Sequence, residues 1–375
     1  MEAGGNGAMR IPDEKMIREL LDWRPRMGVL SVYVAIDPAD RGEPWRVELR
    51  HQLDAVIEAE QDTHGRRRAL AATAERIKTH FPEQSPPSGR CHIGFCEIAE
   101  KDGREFWMAA QMHREKTQVV DRDHPHLTPL LEMLDEGAPI GVLAVSAERV
   151  RLYEWALGSL SDVQDWEAVL FMPDWRERKS QSSPDPARVQ GTSSSGHDQF
   201  DQRLEANRGR FLEQVGGLVA QEADARKWRR VTAFGDPNQV DQLRSGIQDR
   251  VPVELADDVD VISQSDHGQL LERVEAAVEL ENRRRETELV RAAIDAANTP
   301  NGRGATGLNE IEQSLTQGRV RHLIFDAEAP EPDVHELEDD LVEAALRTSA
   351  DVTPVEGEAA EMLREYGGVA ALLRY

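Results

Sequence analysis

Ser193, Ser194, Ser195, Gly196, His197 and Asp198 run consecutively and gather hydroxyls, an imidazole and a carboxylate, the functional groups of a Ser/His/Asp triad. A triad works by geometry, and its members normally come from separate elements, so neighbours on one loop are poorly placed to hold it. His124 and His126 flank Pro125 and invite a metal reading. They have no nearby cysteine and no converging acids, so they fall short of a zinc site and read as the entry to a helix. A third pattern is electrostatic. Arg176, Arg178, Lys179 and Arg188 precede the serines, and Arg203, Arg208 and Arg210 follow them. Residues 176–210 hold seven Lys/Arg against five Asp/Glu, a local net of +2. Guanidinium forks at that density suit the phosphates of an RNA backbone. The competing reading is an ordinary solvated helix face. The same pair of readings applies to Glu281–Glu286, "ENRRRE", where flanking acids favour the solvated face.

The rest of the chain opposes a general affinity for nucleic acid. Its 375 residues carry a net charge of −25, and nonspecific phosphate binding needs a basic surface. The charge is uneven: residues 286–375 hold seven Arg and nineteen Asp/Glu, a net of −12. Lysine is scarcer than arginine, which fits a GC-rich genome or salt adaptation as well as any function. A 39% apolar and 31% charged composition reads as a soluble chain of two or three domains, each with its own core. No apolar run is long enough to span a membrane, and the opening "MEAGGNGAMRIPDEK" lacks the apolar region of a secretory signal, so the cytoplasm is expected. Cys91 and Cys96 are the only cysteines. They sit in "RCHIGFCEI", which alternates like a strand, so they should point to opposite faces and share neither a disulfide nor a metal.

The elements around these residues read as α/β throughout, in three α/β domains. Residues 1–135 give a short helix "EKMIRELLDW", a strand "GVLSVYVAID", one long helical stretch from Trp45 to His80, two strands at "RCHIGFCEIA" and "REFWMAAQM", and a helix closed by Gly137. Residues 138–268 open with a hairpin, "PIGVLAVSAERVRLYEWALG". A long loop at 174–198 follows; loops of that length are functional or disordered. A helix is then expected from Gln199 to about Ala223 with Asp198 as its N-cap. "RRVTAFG", "QVDQLRSGIQ" and "VPVELAD" complete a βαβ pattern. Residues 269–375 begin with a long helix and alternate helix with strand to the C-terminus, as in an α/β/α sandwich.

The final stretch "EYGGVAALLRY" resembles the ending of the third domain of archaeal and eukaryotic class-one peptide chain release factors. "GRGATGLNEIEQSLTQGRVRHLIFD" is similar to the same domain, where a helix ending in glycine leads into the central strand. The hairpin, long loop and "QFDQRLEANRGRFLEQV" resemble the second domain, in which a Gly-Gly-Gln loop precedes an Arg-rich helix. The resemblance covers residues 138–375. The first 135 residues carry no Asn-Ile-Lys-Ser stop-codon motif and look like the N-domain of bacterial members of the Pelota and release-factor superfamily, a group that includes Balon-type ribosome hibernation factors.

That resemblance implies a ribosome-associated translation factor that enters the A site and sends the 176–200 loop toward the peptidyl transferase centre. It implies ribosomal RNA as a partner, with Arg176, Arg178, Lys179, Arg188, Gly191, Ser193, Ser194, Ser195, His197, Arg203, Arg208 and Arg210 as the RNA-binding residues. It also implies a translational GTPase, such as elongation factor Tu, as a protein partner. No cofactor, no metal and no membrane are expected. In the release factors the two glycines free the backbone and the glutamine places water on the peptidyl-tRNA ester. Here Ser193, Ser194 and Ser195 stand over that motif and none matches. The expected activity is therefore noncatalytic protection of idle ribosomes in a stress response. Two alternatives stay open: a peptidyl-tRNA hydrolase acting in release or rescue, and an interaction module that no longer binds the ribosome.

Overall fold

The computed structural model describes residues 14–37, 40, 42–61, 65–81, 89–114, 116–168, 194–256, 267–300, 302–327 and 332–375. The chain divides into two compact units, one drawn from residues 1–137 and 279–375 and the other from 138–278. The described residues form three sheets, one within each of the three regions read from the sequence. The first and third of these sheets belong to the same unit.

The N-terminal region runs α1 (Glu14–Leu21), β1 (Val29–Ala35), α2 (Pro44–Ala59), α3 (Arg66–His80), β2 (Cys91–Glu97), β3 (Glu105–Ala110), β4 (Gln118–Arg122) and α4 (Thr128–Glu136). Its sheet has the order β3-β2-β1-β4 and every pair is antiparallel. The strand β1, "VLSVYVA", is apolar on both faces because both are covered. Leu30, Val32 and Val34 pack on Trp45, Leu49 and Leu53 of α2 and on Leu70, Ala74 and Ile77 of α3. The single helical stretch expected from Trp45 to His80 is two helices. Glu60 turns extended, and α3 restarts after Gly65, a residue of low helix propensity. The strand β4 escaped the sequence reading because polar residues break its alternation.

Cys91 and Cys96 are both free and buried, and Cys96 alone joins the core under α2 and α3. Burial pushes the Cys91 thiol up to about 11 and raises that of Cys96 further.

The middle region runs β5 (Ile140–Val145), β6 (Arg149–Ala156), β7 (Ser159–Glu167), α5 (Ser194–Arg226), β8 (Val231–Gly235), α6 (Pro237–Ile247) and β9 (Val253–Leu255). The sheet order is β7-β6-β5-β8-β9; the β5–β6–β7 meander is antiparallel, and β5–β8 and β8–β9 are parallel. Asp236 caps α6, its carboxylate accepting from the amides of Asn238 and Gln239 ahead of Pro237 at the first turn. The next helix, α7 (His267–Asn298), covers the other face of this sheet with Leu270, Val274 and Val278.

From Glu279 onward α7 belongs to the first unit, followed by β10 (Gly304–Thr306), α8 (Leu308–Thr316), β11 (Val320–Asp326), α9 (Pro332–Arg347), β12 (Asp351–Val355), α10 (Gly357–Arg364) and β13 (Val369–Leu373). The sheet order is β10-β13-β11-β12, with only β11–β12 parallel. Val290, Ala293 and Ile294 of α7 and Ala359, Ala360 and Leu363 of α10 bury Ile324, Val355 and Ala370 of the sheet. In the closing "EYGGVAALLRY", Gly367 and Gly368 both take positive φ (83° and 75°) to turn α10 back into β13. Asp326, 1% exposed, accepts from Arg364 Nε at 2.7 Å, which fixes the end of β11 to that turn.

Candidate functional site

The candidate site is built on α5. Its C-terminal half is anchored: Leu212, Val215, Val219, Ala220 and Ala223 form one stripe against Leu143, Val145, Val150 and Leu152 of the sheet and Val240, Leu243 and Ile247 of α6. The fully buried stripe begins at Leu212, with partly buried Phe211 packed beside it. The eighteen residues Ser194–Phe211 precede it, roughly 27 Å of helix at 1.5 Å per residue.

The helix starts at Ser194, ahead of the expected Asp198 cap and Gln199 start. Extending a formed helix by one residue has little cost compared with nucleating one, so the weak formers Ser195 and Gly196 are carried by the 33-residue helix behind them. Ser194, Ser195 and His197 therefore lie on helical backbone in the first turns of α5, where a loop was expected. Arg176, Arg178, Lys179, Arg188, Gly191 and Ser193 lie outside the described residues.

The three helix arginines do not act as one group. Residues advance by about 100° around an α-helix, so Arg203 and Arg210 fall within about 20° of each other, while Arg208 lies about 140° away from Arg203. The stripe from Leu212 to Ala223 is centred on the side of Arg208. Arg210 is exposed. Arg208 instead bonds the Glu148 carboxylate in the β5–β6 turn, and its buried Nε has no hydrogen-bond partner among the described residues. Part of the basic set read from the sequence is thus used inside the unit.

The same end of the sheet carries residues that the sequence reading passed over. Arg149 grips Asp165 of β7 with two bonds, at 2.9 and 2.5 Å, and Arg151 approaches the same carboxylate at 3.7 Å. The Arg149 guanidinium holds Asp165 below the usual carboxylate range. The signal was present in "RVRL": Arg149 and Arg151 alternate with buried Val150 and Leu152, so both had to share one face of β6. At the opposite end, Glu154 accepts from Trp228 Nε1 at 2.8 Å and from Arg226 at 3.3 Å, fastening the C-terminus of α5.

The remaining candidates have structural partners. His124 Nδ1 contacts Asp123 at 2.5 Å. His126 is buried; its backbone amide donates to Ser31 Oγ at 2.9 Å and its carbonyl accepts from Tyr33, which sets the entry to α4. In "ENRRRE", Arg283 pairs with Glu279 and Arg284 with Glu281 on their own helix, while Arg285 bonds Asp135 at 2.6 Å. Among the described residues no group of three or more His, Cys, Asp or Glu is arranged to hold a metal ion, and no helix is long and apolar enough to cross a membrane.

Residues 125–279 match the model of bacterial archaeo-eukaryotic release factor family 10. A stretch of 93 residues is 32% identical to the protein pelota homolog of Thermococcus kodakarensis, covering 24% of this chain and 26% of that protein. The match thus spans about a quarter of the relative's length. Among solved structures, the chain is similar to Archaeoglobus fulgidus Pelota, at 14% identity over 76% of this chain and 79% of that one with a TM-score of 0.36. It is also similar to an archaeal Pelota described as ribosome-bound together with ABCE1, at 13% identity over 76% and 78% with a TM-score of 0.42. A third is Dom34 of S. cerevisiae, described as interacting with Hbs1, at 8% identity over 76% and 79% with a TM-score of 0.41. Through the family match on residues 125–279 and the segment shared with pelota, this part of the chain is similar to the bacterial branch of the Pelota and release-factor superfamily.

Proposed function

We propose that this protein is a cytoplasmic ribosome-binding factor that occupies the A site without cleaving peptidyl-tRNA, and that it protects idle ribosomes under stress. The observation that carries the noncatalytic part is the start of α5 at Ser194. Two of the three residues standing over Gly-Gly-Gln lie on helical backbone, and none of the three supplies a glutaminyl amide. A water-positioning group on a glycine-freed loop is what hydrolysis of the ester requires. Binding needs less. A helix that runs for roughly 27 Å ahead of its fully buried stripe, with Arg210 exposed and more basic residues before it in the sequence, supports phosphate contacts that hold position.

The partners follow from the same reading: ribosomal RNA near the peptidyl transferase centre for the 176–210 segment, and a translational GTPase of the elongation factor Tu kind for the acidic 286–375 region. The test is a sucrose gradient of lysate from starved cells followed by a release assay. The reading expects the protein in the 70S or large-subunit fractions, with equal binding to sense, stop and empty A sites. Purified protein added to ribosomes carrying labelled peptidyl-tRNA should leave the label bound. Multiple-turnover release of peptide, abolished by changing all three serines to alanine, would transfer the protein to the hydrolases. Free protein in every growth phase would remove the ribosome from the account.

A further inference from the structure

Around the C-terminal end of α4, the unit built from residues 1–137 and 279–375 gathers more carboxylates than cations. Glu132, Asp135 and Glu136 stand on α4, Glu286 on α7 and Glu356 at the N-cap of α10. Two guanidinium groups face them, Arg114 from the segment before β4 and Arg285 from α7. The contacts commit both cations. Arg285 makes a forked bond to Asp135, at 2.6 and 3.3 Å. Arg114 donates to the Pro129 carbonyl at 3.4 Å and lies 3.8 Å from Glu132.

The remaining contacts join elements distant in sequence. Asn282 donates to the Glu136 carbonyl at 3.1 Å, and Glu286, 7% exposed, accepts from the backbone amide of Glu356. Thr353 of β12 contacts Asp135 at 3.4 Å and His322 Nε2 at 2.9 Å. His322 also faces Asp351, Arg285 and Arg321. If every carboxylate here ionised, the excess negative charge would gather around buried Glu286 and half-buried Glu132, Asp135 and Glu136, where α4, α7, β12 and α10 limit access to water. Like charges in such a place repel strongly, and protonation is the available relief.

We propose that this cluster is a proton-operated clasp: it holds α4 against α7, β12 and α10 while Glu132, Glu136 and Glu286 are protonated, and it loosens as they ionise. The inference stands apart from ribosome binding. Burial is the main cause that pushes Glu132 up to about 8 and Glu136 and Glu286 each to about 7; Arg114 opposes this for Glu132, and neighbouring carboxylates add to it for all three. In the unfolded chain the same groups ionise near their ordinary 4.5. Their folded values are raised, so their stabilisation is complete below about 4.5 and is lost as pH rises through 7 to 8. His322 acts in the other direction: burial lowers its value, so its contribution is lost on the acid side.

The test is hydrogen exchange of the full chain at pH 6.0 and 8.5, with each rate divided by the free-peptide rate at that pH. Protection of the α4 and α10 peptides should fall by about tenfold or more across the interval, while α5 and α6 peptides of the other unit hold steady. In the variant E132Q/E136Q/E286Q, whose amides imitate protonated acids, the fall should vanish. Protection at pH 8.5 should then exceed that of the unmodified chain. A variant with lower protection at both pH values, or an unmodified chain with no fall, would overturn the clasp. Carboxyl-carbon NMR of the glutamate-labelled unmodified chain decides independently of any variant's folding. Glutamate signals titrating above pH 6.5 are expected; titration of every glutamate below pH 5.5 would end the proposal.

Discussion

Replacing Gly216 by alanine should destabilise the middle unit, whereas the same change one residue later should not. The helices α5 and α6 meet backbone to backbone. A Cβ at Gly216 would lie 2.1 Å from the Leu243 carbonyl oxygen and 3.0 Å from Gly246 Cα, and one at Gly246 would lie 2.0 Å from the Glu213 oxygen. A carbon–oxygen contact relaxes only near 3.3 Å, so the helices would have to part by roughly 1.2 Å. The groups in the way are backbone, and no side-chain rotation relieves them. Separation also loosens Leu212, Val215 and Val219 from Val240, Leu243 and Ile247. Overpacking of this kind costs about 1–3 kcal/mol, and alanine returns up to about 1 kcal/mol through helix propensity. A net loss of about 1–2 kcal/mol is expected for Gly216→Ala or Gly246→Ala. At Gly217 the nearest atom is 3.9 Å away, an ordinary contact. Gly217→Ala should therefore be neutral or stabilising by up to about 1 kcal/mol. Urea titration read by hydrogen exchange of α5 and α6 peptides follows this unit separately. Equal effects at Gly216 and Gly217, or a gain at Gly216, would refute the close-packing argument.

The arginines of α5 should separate by role: Arg210→Ala should lower the salt dependence of ribosome binding by about one phosphate contact, read from the slope of affinity against salt. Arg208→Ala should instead lower thermal stability, because it breaks the pair with Glu148. Asp236→Ala removes the α6 cap and should cost about 1 kcal/mol in urea unfolding, with Asp236→Asn close to neutral. Arg285→Met leaves Asp135 without its fork and should cost about 1.5–3 kcal/mol by the same measurement. Ellman's reagent at pH 8 should find both thiols silent in the native chain and reactive after denaturation, since burial keeps Cys91 and Cys96 protonated; rapid native labelling would contradict that burial.

Local pattern was enough for much of this protein. The runs "VLSVYVA", "IGVLAV" and "VRHLIFD" are buried strands because covered strands must be apolar on both faces. The odd spacing of Cys91 and Cys96 dictated opposite faces, and Gly318, at φ +65°, closes α8 where the sequence placed a glycine stop. The family match falls on the middle region, where the hairpin, long loop and Arg-bearing helix carried the resemblance. Other features needed the folded chain. The strands β4 and β7 have weak alternation of their own and exist through their partners β1 and β6. The helix register of α5, measured against its core stripe, turned Arg208 inward and left Arg210 in solvent, which a count of basic residues could not distinguish. The carboxylate clasp is the extreme case: Asp135 meets Arg285 across 150 positions and Thr353 across 218. Helix and strand periods act over a few residues and so are written locally; which charges share a buried site is set by long-range packing, and only the tertiary structure decides it.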